Sequence, residues 1–419
     1  MKKIFPALLI LLFLLACDKN STDPEVLTAD FTSEVVAGGG LTTIQFRDQS
    51  LAGKNPITSW QWDFGDGQTS SEQNPQHAYQ VAATFTVRLT VSDGSSSASR
   101  EKSEALYKPL GNLRFSSRLT DVWGYVDTVA AKEYAIVGFS PQGFAIVDAT
   151  DPAAPALVST ITTVPGFDVK VWRHYAYSVT GSGSGMGAVT NIANSSAPQV
   201  VGLFPSHHNI FISEAGYLFG EAGFYPLAIY DLNPDPTAPQ LLWNGGTRGH
   251  DAAVIGNRLF DFHGSDGTYI YDISNIANPQ VEDIILDPTI AYHHSGWPTK
   301  DGNYLFICDE LSSHPRVDIT AWDIRAFGNP QKVGQFADPI ATVHNLYVIG
   351  DYAYVSYYAS GFRILDVSNP TQITLAAHFD TSEKSGEGFE GAFGVYPFAP
   401  SGNIYVSDRD NGLFIFRWK

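Results

Sequence analysis

Seven positions recur between residues 112 and 419 whose side chains can bind protons or metal ions: Asp121, Asp168, His208, His250, His294, His344 and Glu390. They stand 47, 40, 42, 44, 50 and 46 residues apart. A second set, Glu221, His263, Asp309, Glu310 and Asp408, lies at or just past the ends of apolar, strand-like runs. Imidazoles and carboxylates gathered in one place suit a divalent transition ion such as Zn, Mn or Fe. A carboxylate such as Asp309 or Glu310 could then serve as a base. Histidine ligates as the neutral ring, so such binding should weaken at mildly acidic pH. Three readings of these residues stay open. The histidines could hydrogen-bond adjacent strands and hold the repeats together, as the Gly249-His250 pair suggests; they could hold a metal; or they could contact an organic ligand directly. The chain has no metalloprotease helix motif, nucleophile elbow or phosphate loop. The Gly-rich run at 181–187 follows a strand in a β-only context and reads as a loop.

The elements that must position these residues are visible as a repeat. Each unit ends its third apolar run in Asp: Phe144–Asp148, Leu227–Asp231, Tyr269–Asp272, Ile319–Asp323 and Phe362–Asp366. A proline turn follows: Asp151-Pro152, Asp235-Pro236, Asn278-Pro279, Asn329-Pro330 and Asn369-Pro370. Proline has no N–H for a strand ladder, so these turns belong between strands. The second unit departs, with Val189-Thr190-Asn191 in place of the Asp ending. Starts about 45 residues apart match four-stranded propeller blades. The seventh unit lacks a fourth strand, and Asn112–Ser116 ahead of the first unit could supply it and close the ring. In that arrangement the first set and the second set of polar residues converge on one mouth of the central channel. Aromatic residues expected near that face are Trp123, Phe224, Tyr225, Tyr292, Trp297, Tyr357 and Tyr358.

The rest of the chain bounds the function. Of 419 residues only 16% are charged, 13% are aromatic, and 38 are Gly and 24 Pro, a mix suited to many short strands. The formal net charge of −18 lacks the basic footprint of nucleic-acid binding. Cys308 sits in the apolar run Tyr304–Cys308 and reads as a buried strand residue. At the N-terminus Lys2 and Lys3 precede an apolar stretch, Ile4–Leu15, ending in Leu14-Leu15-Ala16-Cys17. This resembles the lipobox of bacterial lipoproteins, which implies lipidation of Cys17, loss of residues 1–16 and a polar tether over 17–27.

Residues 28–107 resemble the PKD (polycystic kidney disease) domain through Trp62-Asp63-Phe64-Gly65-Asp66-Gly67, His77-Ala78-Tyr79 and Thr84–Val87. That resemblance implies an immunoglobulin-like sandwich. Asp63 and Asp66 are expected to cap its turn rather than bind metal. Residues 112–419 resemble the LVIVD-repeat, or choice-of-anchor B, extracellular proteins. The carrying residues are Asp121–Tyr125, His208–Ile212, Gly249-His250-Asp251, Tyr292–Trp297, Asp309-Glu310-Leu311, His344–Val348 and Asn411–Phe416.

The expectation is therefore an all-β chain, a seven-bladed β-propeller preceded by a PKD β-sandwich. It would be exported across the inner membrane and lipid-anchored at the outer membrane or cell surface. The first functional reading is a binding or scaffold protein presenting the His/carboxylate mouth to a protein or glycan partner. The second is a metal-dependent surface hydrolase or lyase. No nucleic-acid partner is expected, and the sequence does not give the oligomeric state.

Overall fold

The computed structural model describes residues 26–418 apart from 37–41, 80–82, 107–108, 223–225, 247, 312–316, 327, 339–340, 383 and 385. Cys17, Phe224 and Tyr225 lie outside the described residues. Every regular element described is a β-strand, and the protein is all-β.

In the N-terminal sandwich the strand Ser59–Asp63 pairs with Ala83–Ser92 and with the short strand Thr69–Ser70. Strand alternation sends Trp62 inward. Its ring lies 5.1 Å from Phe31 and 5.4 Å from Phe46, and its Nε1–H donates to the Glu72 carbonyl at 2.9 Å. Asp63 and Asp66 accept from the Gly65 and Gln68 amides at 2.9 and 3.0 Å, which commits both to the turn.

The remaining strands form a β-propeller. Among the described residues it has six consecutive four-stranded antiparallel blades and a seventh built from both ends of the repeat region. The innermost strands are Arg118–Asp127, Asp168–Trp172, Asn209–Ile212, Asp251–Ile255, His293–Pro298, Leu346–Ile349 and Ala392–Tyr396. In the last blade Gly111–Leu113 pairs beside Gly412–Arg417, in the register Leu113 to Leu413 and Gly111 to Ile415. Asn112 Nδ2 clamps this seam by donating to the Asn411 and Leu413 carbonyls, each at 3.1 Å.

The Asp closing each third strand has a local purpose. Asp148, Asp231, Asp272, Asp323 and Asp366 each accept, through Oδ1, from the amide two residues on at 2.8–3.1 Å. Such Asx turns fold the chain back without a ladder partner. In the second blade Asn191 Oδ1 does the same for Ala193 at 3.0 Å, so the departure from Asp keeps the turn.

Apolar layers between blades hold the ring together. Between the fifth and sixth blades Phe306, Cys308 and Ile319 pack on Val355 and Leu365; between the first and seventh, Val137 and Val147 pack on Tyr405 and Ile415. Burial raises the Cys308 thiol pKa, which keeps it an un-ionised core residue.

One end of the channel is filled by Trp123, Phe211, Trp297, Tyr347, Tyr396 and Phe398. Trp123 and Tyr396 have ring centroids 5.0 Å apart, Tyr347 and Trp297 4.8 Å, and Phe211 and Trp297 5.7 Å. Trp123 and Trp297 therefore plug the channel and do not join the histidines.

Candidate metal centre

The four histidines stand side by side at the other end. Centroid distances are 4.5 Å for His208–His250, 4.3 Å for His250–His294 and 4.7 Å for His294–His344. Phe393 follows His344 at 4.2 Å, Phe167 precedes His208 at 5.3 Å, and the two phenylalanines meet at 5.7 Å. Six rings from six blades thus close a circle. The seventh blade contributes Phe393. Glu390 instead pairs with Arg118 and, at 3.4 Å, with Lys384, at a half-exposed site.

Backbone carbonyls fix how each imidazole is held. His250 Nδ1 meets the His294 carbonyl at 3.2 Å, His294 Nδ1 the His344 carbonyl at 3.1 Å, and His344 Nδ1 the Phe393 carbonyl at 2.6 Å. His208 Nδ1 meets the Gly181 carbonyl. A carbonyl only accepts, so each Nδ1 carries the proton and each Nε2 keeps its lone pair. This is how second-shell carbonyls prepare histidines for metal ligation. The same bonds run from blade to blade, so the blade-linking role is realised as well.

Burial lowers the pKa of all four imidazoles, that of His344 to about 3; neighbouring imidazoles push His250 and His294 the same way. The rings are neutral over the physiological range. At His344 proton competition is thereby moved below the mildly acidic range expected for a free imidazole.

Glu310 is the member of the second set that reaches this ring. Its Oε2 is 3.4 Å from His294 Nε2, its Oε1 is 3.9 Å from His344 Nε2, and Tyr358 OH donates to Oε1 at 2.6 Å. One ligand atom each from His294, His344 and Glu310 lie within 4.8 Å of one another. Tetrahedral bonds of about 2.1 Å put ligand atoms roughly 3.4 Å apart, so this set needs little contraction to share an ion. Among the described residues no other His/Cys/Asp/Glu group meets that spacing, and His208 and His250 stay outside it. Burial raises the Glu310 pKa to about 7. The Tyr358 backbone at φ 28° is in the left-handed region, unusual for a bulky residue, and fixes the phenol over Glu310.

The other sequence candidates have separate duties. Lys170, buried beneath the ring, bonds Asp121 at 2.7 Å and also Asp168; its ammonium sits 4.9 Å over Trp123. Asp168 Oδ2 also accepts from the Ile210 amide at 2.7 Å. Asp309 accepts from the Ala291 and Tyr292 amides at 2.6 and 2.9 Å, and Asp408 from Thr381 and the Asp410 and Asn411 amides. His263 contacts Asp261 at 2.5 Å and stacks on Tyr269. Glu221 is fully buried, and neither carboxylate oxygen has a hydrogen-bond partner among the described residues. A Cβ on Gly249 would lie 1.9 Å from an Asp261 oxygen and 2.7 Å from a Glu221 oxygen, so only glycine fits before His250.

Above the ring lies a cavity of about 280 Å³, floored by the histidines and walled by Phe167, Glu310, Tyr358, Phe389, Phe393 and Arg409. Phe167, Phe393, Lys170 and Arg409 were not singled out from sequence. A lone lysine in Val169-Lys170-Val171 and the 49-residue step from His344 to Phe393 were the available signals.

Comparison with known proteins agrees with both halves of the chain. A family model described as PKD domain matches residues 23–106, and one described as LVIVD repeat matches 123–163 and 342–381. The collagenase ColA of Bacillus cereus is 41% identical over 66 residues, which are 16% of this chain and 7% of the collagenase. The chain thus spans under a tenth of the length of that relative. The PKD1 domain of the Vibrio cholerae metalloprotease PrtV is 32% identical, covering 19% of this chain and 94% of that domain, at a TM-score of 0.17. The WD40 β-propeller domain of Doa1 is 13% identical, covering 75% of this chain and 97% of that one, at a TM-score of 0.54. This last likeness concerns the fold alone.

Proposed function

We propose that this chain, which carries a PKD domain followed by LVIVD repeats on a β-propeller, is an extracellular binding protein. Its propeller holds a divalent transition metal ion at one channel mouth through His294, His344 and Glu310. The observation that carries this reading is the committed Nδ1 of His294 and His344, which leaves their Nε2 lone pairs 3.4 and 3.9 Å from the Glu310 carboxylate oxygens. The PKD domain and the collagenase likeness support a location outside the cytoplasm. The lipobox resemblance supports lipid attachment at Cys17, on the outer membrane or cell surface. There the mouth would face a protein or glycan partner.

Glu310→Gln tests the metal directly, because Glu310 takes no part in the carbonyl bonds that link blades. The wild type should purify with, or take up, about one equivalent of Zn, Mn or Fe. The variant should lose affinity at least ~10-fold with its melting temperature little changed. Equal metal content in the two proteins, or none in either, overturns the site. Replacing Cys17 by Ala should move the protein from the membrane to the soluble fraction.

A second reading, a metal-dependent hydrolase or lyase, has one observation in its favour. Glu310 opens on a cavity large enough for a substrate and is held in place by the Tyr358 hydroxyl. If the imidazoles alone held the ion, Glu310 would be free to take a proton from an attacking water. Turnover of a model ester or phosphoester, lost in Glu310→Gln at unchanged metal content, would select this reading.

A further inference from the structure

Arg409 projects from the seventh blade into the wall of the same cavity. Its Nη1 donates to the Phe389 carbonyl at 3.1 Å, and its guanidinium sits 5.3 Å over the Phe393 ring. Its Nε is buried without an acceptor among the described residues. Among the described residues no carboxylate lies within ion-pair distance of it. A guanidinium is always charged and presents a planar fork of donors, so an unfilled one at a cavity wall is a site for an oxyanion.

Cations gather at this site: Arg409 stands at the cavity wall, the reading above adds a dication, and Lys170 is already paired with Asp121 and Asp168. Phe167, Phe389, Phe393 and Tyr358 give the wall its aromatic part; Asn209, Asn345 and the two aspartates paired with Lys170, Asp121 and Asp168, also line it. Phe389 is 48% exposed at the rim, with its ring edge-on to Tyr358 at 5.4 Å. At about 280 Å³ the cavity is at the small end of ligand pockets.

We infer that the cavity binds a small organic acid, its carboxylate held between Arg409 and the metal ion and its apolar group among Phe167, Phe389 and Phe393. This rests on the metal reading above and names the ligand class for that site. The ion supplies an open coordination position, Arg409 a bidentate hydrogen bond, and the aromatic rim selects acids that carry an apolar group over acetate. The bound carboxylate touches both cations, so acid and ion should stabilise each other.

The test uses the whole protein loaded with cobalt(II). Metal uptake is read by elemental analysis, and ligand binding by the visible cobalt band and by calorimetry. The probes are phenylacetate, acetate, which lacks the ring, and phenethyl alcohol, which lacks the charge. Phenylacetate should perturb the cobalt band and bind at least ~10-fold tighter than acetate, while phenethyl alcohol should leave the band unchanged. Arg409→Gln should keep full cobalt content but weaken phenylacetate at least ~10-fold, a loss of about 1.4 kcal/mol. Arg409→Lys should recover part of that loss, separating the charge from any effect on the Phe389 loop. Cobalt uptake with no phenylacetate binding, or equal affinity in Arg409→Gln, overturns the inference and leaves the metal site standing. Failure of the wild type to take up cobalt overturns both.

Discussion

The two ends of the propeller channel are built from the same strands and do opposite things. His208, His294, His344 and Phe393 stand at one end, and three residues further along each strand Phe211, Trp297, Tyr347 and Tyr396 stand at the other. The aromatic end meets ring to ring at 4.8–6.3 Å, closing the channel beneath a cavity of about 1060 Å³ that Trp123, Phe211, Trp297, Tyr396 and Phe398 line. The histidine end forms a circle with lone pairs facing an open cavity. Repetition around a propeller axis thus gives ring-on-ring packing at one end and, at the other, a circle of imidazoles each held by a backbone carbonyl. Lys170 separates the two, with its ammonium over Trp123 and its hydrogen bonds to Asp121 and Asp168 beneath the ring.

Removing that separator should have the largest effect. Lys170→Met leaves Asp121 and Asp168 buried without their counter-charge, which should cost about 3–5 kcal/mol of stability in chemical denaturation. Adding Asp121→Asn and Asp168→Asn should restore much of it. No recovery in the triple variant would mean that the lysine acts through packing on Trp123 and not through its charge.

Trp297→Ala comes next, at about 3 kcal/mol, because the indole touches Phe211, Tyr347 and Phe398 and leaves a cavity when removed. It should not change metal stoichiometry. A Trp297→Ala protein that folds but has lost its metal would break the division of labour between the two ends.

Much of this arrangement was legible in the sequence, and for identifiable reasons. The repeat was readable because each of the first six blades needs the same Asx turn, so Asp or Asn returns at a fixed point in those six units. The histidines were readable because they recur at blade spacing. Glu390 and Phe393 were not, since two or three residues of register at a strand start decide which side chain joins the circle. Asp309 and Glu310 are adjacent, yet one caps the Ala291 and Tyr292 amides and the other faces the histidines. Neighbours at a strand end point to opposite sides, and nothing in their chemistry says which is which. Arg409 was silent because nothing in Asp408-Arg409-Asp410 says that its guanidinium has no carboxylate at ion-pair distance among the described residues.

The last effect, and the sharpest on the comparison, concerns pH. The histidine end also buries Glu221 and Asp261, while the described residues of the aromatic plug carry no carboxylate. Burial raises the Glu221 pKa well above its ordinary value of 4.5, and the nearby Asp261 adds to this; burial raises Asp261 itself to about 6. The unfolded chain releases the Glu221 proton near pH 4.5, whereas the folded chain keeps it. Stability is therefore full below that pH and declines as pH rises toward the folded value, by up to about 1.4 kcal/mol per unit for one such group. Glu221→Gln keeps the shape and removes the proton. Between pH 5 and pH 8 the variant should lose less stability than the wild type and become the more stable of the two at the upper end. Parallel stability curves would show that Glu221 is ionised in the folded protein, and the histidine end would then have to supply a cation where the structure shows no donor to its oxygens among the described residues.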